Sequence, residues 1–269
     1  MPELPEVQTI SRRLAPLLSG RRILSVDLLW PRSLANLSEM DFVQRLTGQS
    51  ILHLSRRGKF LQMHMTDDYL LFHLRMSGDL LVRDESQHQE THDRLLLHLT
   101  RDQYLAFNDT RKFGRIWLTS DPQDVLGNLG PEPLEKDFTP QVLQQRLAAR
   151  HRQLKPLLLD QTFLAGLGNI YTDEALHIAR LHPLRQSDSL DATDAERLWR
   201  GIRQVLRDGL LRNGASIDWA YRGGQFQNHF RVYGREGQAC PVCGSIIKKL
   251  KVGQRGTHFC PGCQVEREG

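Results

Sequence analysis

Cysteine is scarce in this chain, and the first 239 residues contain none; the four present are Cys240, Cys243, Cys260 and Cys263. Long apolar runs are missing too. No stretch approaches the ~20 apolar residues needed to cross a bilayer as a helix, so no membrane span is expected. The opening MPELPEVQTISRRL carries acids and lacks an apolar centre, which argues against a signal peptide and for a cytoplasmic protein. There is no internal repeat and no low-complexity tract. What remains is ordinary for a folded protein: 39% apolar and 25% charged residues over 269 positions, a length that fits one or two domains.

The net charge is +5, with a pI of about 9.2. It is unevenly placed. Residues 221–269 hold eight Lys/Arg against three acids, while residues 1–220 hold 28 of each. A basic surplus confined to the tail favours a polyanion partner there over a uniformly sticky surface.

The four cysteines form a C-x2-C-x16-C-x2-C pattern, the spacing of a structural four-thiolate zinc site. Two disulfides are the alternative, but they need an oxidising compartment. Four protein ligands would fill zinc's tetrahedron and leave no open position for chemistry. Metal binding would supply about 10–16 kcal/mol toward folding a segment too small to fold alone. Between the pairs, SIIKKLKVGQRGTHF reads as two β-prone runs around a Gly253-Gln254-Arg255-Gly256 turn. Arg255 is expected at its tip. Lys248, Lys249 and Lys251 share the hairpin, which favours a phosphate contact over a merely solvated arginine.

Elsewhere the periodicity divides the chain. Val7, Ile10, Leu14, Leu17 and Leu18 recur at helical spacing before Gly20. From Arg22 to Ser120 about eight short strand-type runs follow, among them KFLQMHM, YLLFHLRM and QYLAFND, with a short helix near Met40–Leu46. That spacing predicts an antiparallel sandwich or barrel. Residues 126–139, LGNLGPEPLEKDFT, read as a linker. Helical patterning runs from Pro140 to about Arg212, and a glycine-rich stretch, 213–238, leads to the cysteines; long loops of this kind are often functional.

The N-terminus is the first place where chemistry could reside. Pro2 is small enough that removal of Met1 is expected, which would expose a secondary amine. With an α-amino pKa of about 7.8, roughly 14% is free base at pH 7, against roughly 0.04% for a lysine at 10.4, a difference of about 3.5 kcal/mol. Condensed with an aldehyde-level carbon, such an amine gives a cationic iminium that acidifies the neighbouring C–H. Glu3 and Glu6 lie close enough in sequence to move protons. A plainer reading stands beside this one: proline near a helix start and acids in its first turn suit the helix dipole.

Six motifs then occur in order: PELPEV at 2–7, RGKF at 57–60, HLRMSG at 73–78, RKFG at 111–114, GLGNIY at 166–171, and the four-cysteine finger. Together they span nearly the whole chain, which resembles the bacterial formamidopyrimidine-DNA glycosylase family. The resemblance implies an α+β chain: an N-terminal antiparallel β-sandwich with flanking helices, then a helix–two-turn–helix domain with a zinc-finger β-hairpin. The expected divisions are 1–125 for the catalytic sandwich, 126–139 for the linker, 140–225 for the helix–two-turn–helix domain with a lesion loop, and 226–269 for the finger.

The implied activity is that of a bifunctional base-excision-repair enzyme, a DNA glycosylase and AP lyase, that removes oxidised purines such as 8-oxoguanine and formamidopyrimidines and then cuts the strand. It would act as a monomer, with one structural zinc, on double-stranded DNA holding oxidised bases or abasic sites. Pro2 would attack the deoxyribose C1′ and displace the base, and Glu3 would protonate the ring oxygen and serve later proton transfers. Successive β- and δ-eliminations would leave a gap bounded by phosphates. Glu6 resembles a position near the damaged nucleotide, and Glu174 one that supports the N-terminal amine.

Lys59 matches the lysine that the family assigns to β-elimination; as a point charge it is suited to gripping a phosphate. Arg255 matches an arginine assigned to δ-elimination. A guanidinium is a poor acid, so a bidentate hold on the leaving phosphate is the more economical role. Met76 and Phe113 would fill the hole left by an extruded nucleotide, and Arg111 would contact the orphaned cytosine. Asn169, at a helix start after Gly166-Leu167-Gly168, would serve as cap or phosphate ligand. His92 and Arg150 fall at DNA-contacting positions, and Lys155 is placed to reach the lesion. The loop around Ser216 to Gln225 would close over the flipped base. An endonuclease VIII-like enzyme for oxidised pyrimidines and a non-catalytic zinc-finger DNA-binding protein are the alternatives; PELPEV and the Met76, Arg111, Phe113 set favour the purine enzyme.

Overall fold

The structure, a computed structural model, describes residues 1–216 and 223–266. Two units form: Met1–Asn128 with Asn213–Gly224, and Leu129–Arg212 with Gln225–Gly269.

The first unit opens with helix α1 (Leu4–Leu18), whose buried face is Leu4, Val7, Ile10, Leu14 and Leu18. Eight strands follow: β1 (Ile23–Leu28), β2 (Ile51–Arg57), β3 (Phe60–Met65), β4 (Tyr69–His73), β5 (Gly78–Asp84), β6 (Asp93–Leu99), β7 (Gln103–Asp109) and β8 (Arg115–Thr119). They make two four-stranded antiparallel sheets, ordered β1-β6-β7-β5 and β2-β3-β4-β8. Helix α2 (Glu39–Leu46) interrupts them, capped by Ser38, whose hydroxyl accepts from Asp41 N–H. Ile10, Leu14, Met63, Phe72, Leu97 and Phe107 are each 0–1% exposed in one core. Side chains of this size contribute about 1.5–3 kcal/mol apiece when fully buried. The core binds α1 to both sheets, so the position of the N-terminal segment is set by the best-packed part of the unit.

The second unit holds α4 (Pro140–Ala148), α5 (Leu154–Leu159), α6 (Asn169–Ala179) and α7 (Ala192–Leu211), with a one-turn helix α3 (Gln123–Leu126) ending the first unit. Helices α4 and α6 both pack on α7. The zinc module closes the chain with β9 (Lys248–Val252) and β10 (Arg255–Phe259), paired antiparallel.

Two expected boundaries change. The stretch read as a linker is not a spacer: Phe138 is 1% exposed, its carbonyl accepts Trp199 Nε1–H at 2.6 Å, and Arg203 donates to the carbonyls of Pro133 and Glu135. It is strapped along α7. The end of the expected 140–225 domain, Asn213–Gly224, groups with the first unit. The reason lies at Glu6, below.

Candidate functional site

Glu3 is the N-cap of α1, and Glu6 reaches back so that its Oε2 accepts Glu3 N–H at 2.7 Å, a capping box. Pro2 is buried, and the two glutamates are each 2% exposed. The second oxygen of Glu6 accepts Ala215 N–H at 2.8 Å. Gly214 makes that approach possible: its φ is +79°, and a Cβ there would lie 2.5 Å from Glu6 Oε1. Glu6 therefore ties the helix start to the segment from which the expected lesion loop departs. The base of that loop is closed by Gly224 N–H donating to Ser216 Oγ at 2.8 Å. Residues 217–222, the rest of the loop, lie outside the described residues.

Lys59 sits in the two-residue Gly58-Lys59 turn that joins β2 to β3, with Arg57 opposite Phe60. It is 4% exposed. Beside it, His73 is opposite Phe60 on β4, and its Nδ1 accepts Arg75 N–H at 3.1 Å. Burial above all, then the charges of Arg75 and Lys59, push the His73 imidazolium pKa down to about 3. His73 is thus neutral at physiological pH and adds no positive charge next to Lys59.

Met76, Arg111 and Phe113 come from two turns, β4–β5 and β7–β8. Phe113 is 51% exposed, which excludes a core role, and the Arg111 guanidinium lies 5.1 Å over its ring. Met76 is half-buried and Arg111 exposed. The residue that organises both turns was not singled out in the sequence. Asp109, 1% exposed at the end of β7, accepts the Ser77 hydroxyl and Arg111 N–H (3.2 Å) at Oδ1 and Gly114 N–H (2.7 Å) at Oδ2. Arg111 N–H also reaches Ser77 Oγ at 3.0 Å. The Gly114 position admits no larger residue, since a Cβ would lie 2.3 Å from the Phe107 ring. Exposed His92 joins the same cluster through its carbonyl, which accepts Asp109 N–H at 2.9 Å. One buried residue, Asp109, thus fixes both turns through its carboxylate and holds the His92 backbone through its own N–H.

The second unit treats its polar residues differently. Lys155 is fully buried; its ammonium donates to Asp173 Oδ1 at 2.6 Å and to the Asn169 carbonyl at 2.9 Å. An ammonium removed from water must be paired, and this one is paired with α6. Asp173 Oδ2 in turn accepts His258 N–H at 2.8 Å and faces His258 Nδ1 at 3.3 Å. The helix cap also moves by one. Gly168 is the N-cap of α6 and Asn169 its first helical residue, with Asn169 Nδ2 donating to the Gly256 carbonyl at 3.0 Å. Lys155, Asp173 and Asn169 thereby fasten α5, α6 and β10 into one piece.

Arg255 is not at the hairpin tip. Gly253 and Gln254, with φ of 52° and 62°, make the turn, and exposed Arg255 begins β10 opposite Val252. Exposed Arg150 follows α4, its guanidinium donating to the Ala149 carbonyl at 3.0 Å. Glu174 is 1% exposed, and its oxygens accept the N–H groups of Arg231, Val232 and Tyr233 at 2.8–3.0 Å. Burial pushes this carboxyl up and the three amides oppose that shift. Glu174 anchors the segment that leads into the finger.

The cysteine sulfurs fit a four-coordinate ion. Cys240 and Cys263 Sγ are 3.8 Å apart, and Cys243 and Cys260 Sγ 3.4 Å, close to the ~3.8 Å edge of a tetrahedron built on Zn–S bonds of about 2.3 Å. The knuckle backbone supports them: Val242 N–H points at Cys240 Sγ (3.4 Å), and Gly244 N–H donates to the Cys240 carbonyl (3.0 Å). A structural zinc held by these thiolates would hold the hairpin in place and take no part in chemistry. His177, on α6, faces the same cluster, and no feature of the sequence marked it.

Three family models cover the chain. The Formamidopyrimidine-DNA glycosylase N-terminal domain matches residues 1–116, the Formamidopyrimidine-DNA glycosylase H2TH domain residues 129–220, and the "Zinc finger found in FPG and IleRS" residues 237–265. The chain is 44% identical to a formamidopyrimidine-DNA glycosylase of Symbiobacterium thermophilum, over 100% of this chain and 91% of that one. It is also 44% identical to one of Heliobacterium modesticaldum, over 98% and 100%. A complex between the Lactococcus lactis Fpg and an abasic site containing DNA superposes with a TM-score of 0.92 at 37% identity, covering 98% of this chain and 100% of that one. The wild-type Lactococcus lactis protein with N7-Benzyl-Fapy-dG containing DNA gives 0.93 at 38%, with the same coverage. This chain belongs to the formamidopyrimidine-DNA glycosylase family.

Proposed function

We propose that the protein is a base-excision-repair enzyme that removes oxidised purines, 8-oxoguanine and formamidopyrimidines, from double-stranded DNA and then cuts the strand at the abasic site. The similarity to glycosylases along the whole chain, including complexes with abasic and Fapy-dG DNA, carries this reading. Its substrate puts it with the bacterial chromosome in the cytoplasm.

In this reading Met1 is removed and the Pro2 amine attacks C1′. The N–C1′ bond forms as the bond to the base breaks, and the electron pair leaves with the base. Glu3 protonates the ring oxygen, the ring opens, and a cationic iminium remains on Pro2. That electron sink acidifies C2′–H, and the two phosphates leave in turn. Burial of Pro2 and Glu3 at the start of α1 supports the assignment, because a capped helix start holds the amine in one place. Glu6 acts as a positioning residue through Glu3 N–H and Ala215 N–H. Lys59 and Arg255 hold the phosphates on either side of the lesion. Met76 and Phe113 fill the gap in the stack, Arg111 meets the orphaned cytosine, and His92 contacts the DNA. Asn169 and Arg150 contact the backbone, and the zinc holds Arg255's hairpin.

The reading is tested by strand scission on an 8-oxoguanine duplex beside duplexes that are undamaged or contain an oxidised pyrimidine. Cleavage of the 8-oxoguanine strand to a gap with phosphate at both ends is expected. Preference for the pyrimidine lesion would move the protein to the endonuclease VIII-like reading, and binding with no cleavage would leave a DNA-binding protein.

A further inference from the structure

The zinc module has more donors than a tetrahedral ion needs. His177, Cys240, Cys260 and Cys263 place one ligand atom each within 4.8 Å of one another. His177 Nε2 is 3.4 Å from Cys240 Sγ, and Cys240 Sγ is 3.8 Å from Cys263 Sγ. Those are the edge lengths of a tetrahedral site with mixed sulfur and nitrogen ligands, about 3.5–3.8 Å. Cys243 completes a different set through Cys260 Sγ, at 3.4 Å.

The two candidates for the fourth position differ in environment. Cys243 is exposed, whereas His177 is 2% exposed and rises from α6, a helix that is buried for nearly its whole length. The imidazole also lacks a complete hydrogen-bond set, since its Nδ1 is buried with no partner among the described residues. A buried polar side chain is ordinarily satisfied by protein or water. This one turns its other nitrogen toward the sulfurs, which makes it a metal donor more readily than a strut.

We propose that His177 is a reserve ligand of the zinc centre. With four thiolates in place its Nε2 rests against Cys240 Sγ. When Cys243 is lost, His177 Nε2 takes the vacated position, and a site of three thiolates and one imidazole, an ordinary structural zinc set, replaces the four-thiolate one. The proposal rests on the zinc reading of the cysteines and is independent of the glycosylase reading; the metal content of the unaltered protein checks the former on its own.

Cobalt(II) replaces zinc and reports its ligands by absorption. Cys243→Ala in the full chain is expected to fold and to bind one cobalt. Its thiolate charge-transfer intensity should fall by about a quarter, for three sulfurs in place of four, and its d–d bands should shift to shorter wavelength. Adding His177→Phe, a swap that keeps an aromatic ring but removes the donor nitrogen, should then abolish tetrahedral cobalt binding, while His177→Phe alone keeps one cobalt with the four-thiolate spectrum. Cys243→Ala that fails to fold or to hold cobalt overturns the proposal. So does a Cys243→Ala spectrum that His177→Phe leaves unchanged. Loss of metal from His177→Phe alone overturns it as well, because His177 would then be an obligatory ligand rather than a reserve.

Discussion

The two units use the same kinds of side chain in opposite ways. In the first, Arg111, Phe113 and His92 are exposed on or beside turns, and the buried polar group, Asp109, holds the backbone beneath them. In the second, Lys155 and Glu174 are buried and paired within the fold, and Arg150 and Arg255 are among the exposed cations. Burial separates these turn residues from Lys155 and Glu174, but not Lys59, Glu3 and Glu6, which are 2–4% exposed in the first unit. A charge with water around it is free to meet a phosphate or a base, whereas a charge withdrawn from water must find its partner inside the protein. The first unit presents exposed turn residues on a packed pair of sheets. The second fastens α5, α6 and the finger hairpin to one another, so that Arg255 and Asn169 are carried by a single body.

The comparison breaks most visibly at Asp173. Asp173→Asn removes the carboxylate charge that faces the buried Lys155 ammonium, and a loss of about 3–5 kcal/mol is expected in denaturant unfolding. If Lys155 were a lesion contact instead, the variant would fold normally and lose only cleavage. A smaller effect is expected from Asp109→Ala, which strips three donors of their acceptor: about 2–3 kcal/mol in stability, with a drop in affinity for abasic duplex, read by melting and by fluorescence anisotropy.

His73 sharpens the picture of the sheet that carries Lys59. Its folded pKa, about 3, lies below the unfolded value near 6.5, so between these values the unfolded chain binds the extra proton. Stability should fall as pH drops through this window, with a contribution of up to about 1.4 kcal/mol per pH unit. His73→Phe should flatten the slope of unfolding free energy against pH. The smallest structural effect belongs to Arg111→Ala. An exposed turn residue should change stability by less than about 0.5 kcal/mol, while affinity for abasic duplex falls roughly tenfold.

Much of this was legible in the sequence, and the misses have physical causes. The strands of the first unit follow from alternating apolar runs broken by turn residues, and the thiolate site from cysteine spacing. Arg255 shifted from the tip because spacing does not reveal which two of four turn residues take positive φ. Lys155 carried a signal that went unused: it stands in LKPLLL, and Asp173 in IYTDEALHIA, so each is a charge within an apolar stretch and each needs the other. Asp109, in contrast, looks like any acid before a turn, and its role exists only once β7 brings Ser77 and Gly114 to it. The strap at 126–139 was hidden because Gly and Pro mark a bend whether it lies in water or against a helix.

Borohydride reduction of the protein mixed with an 8-oxoguanine duplex, followed by peptide mapping of the cross-link, addresses the amine at the heart of the reaction. The account predicts a DNA adduct on the nitrogen of Pro2 in chains that have lost Met1. A cross-link on a lysine, Lys59 included, would contradict it.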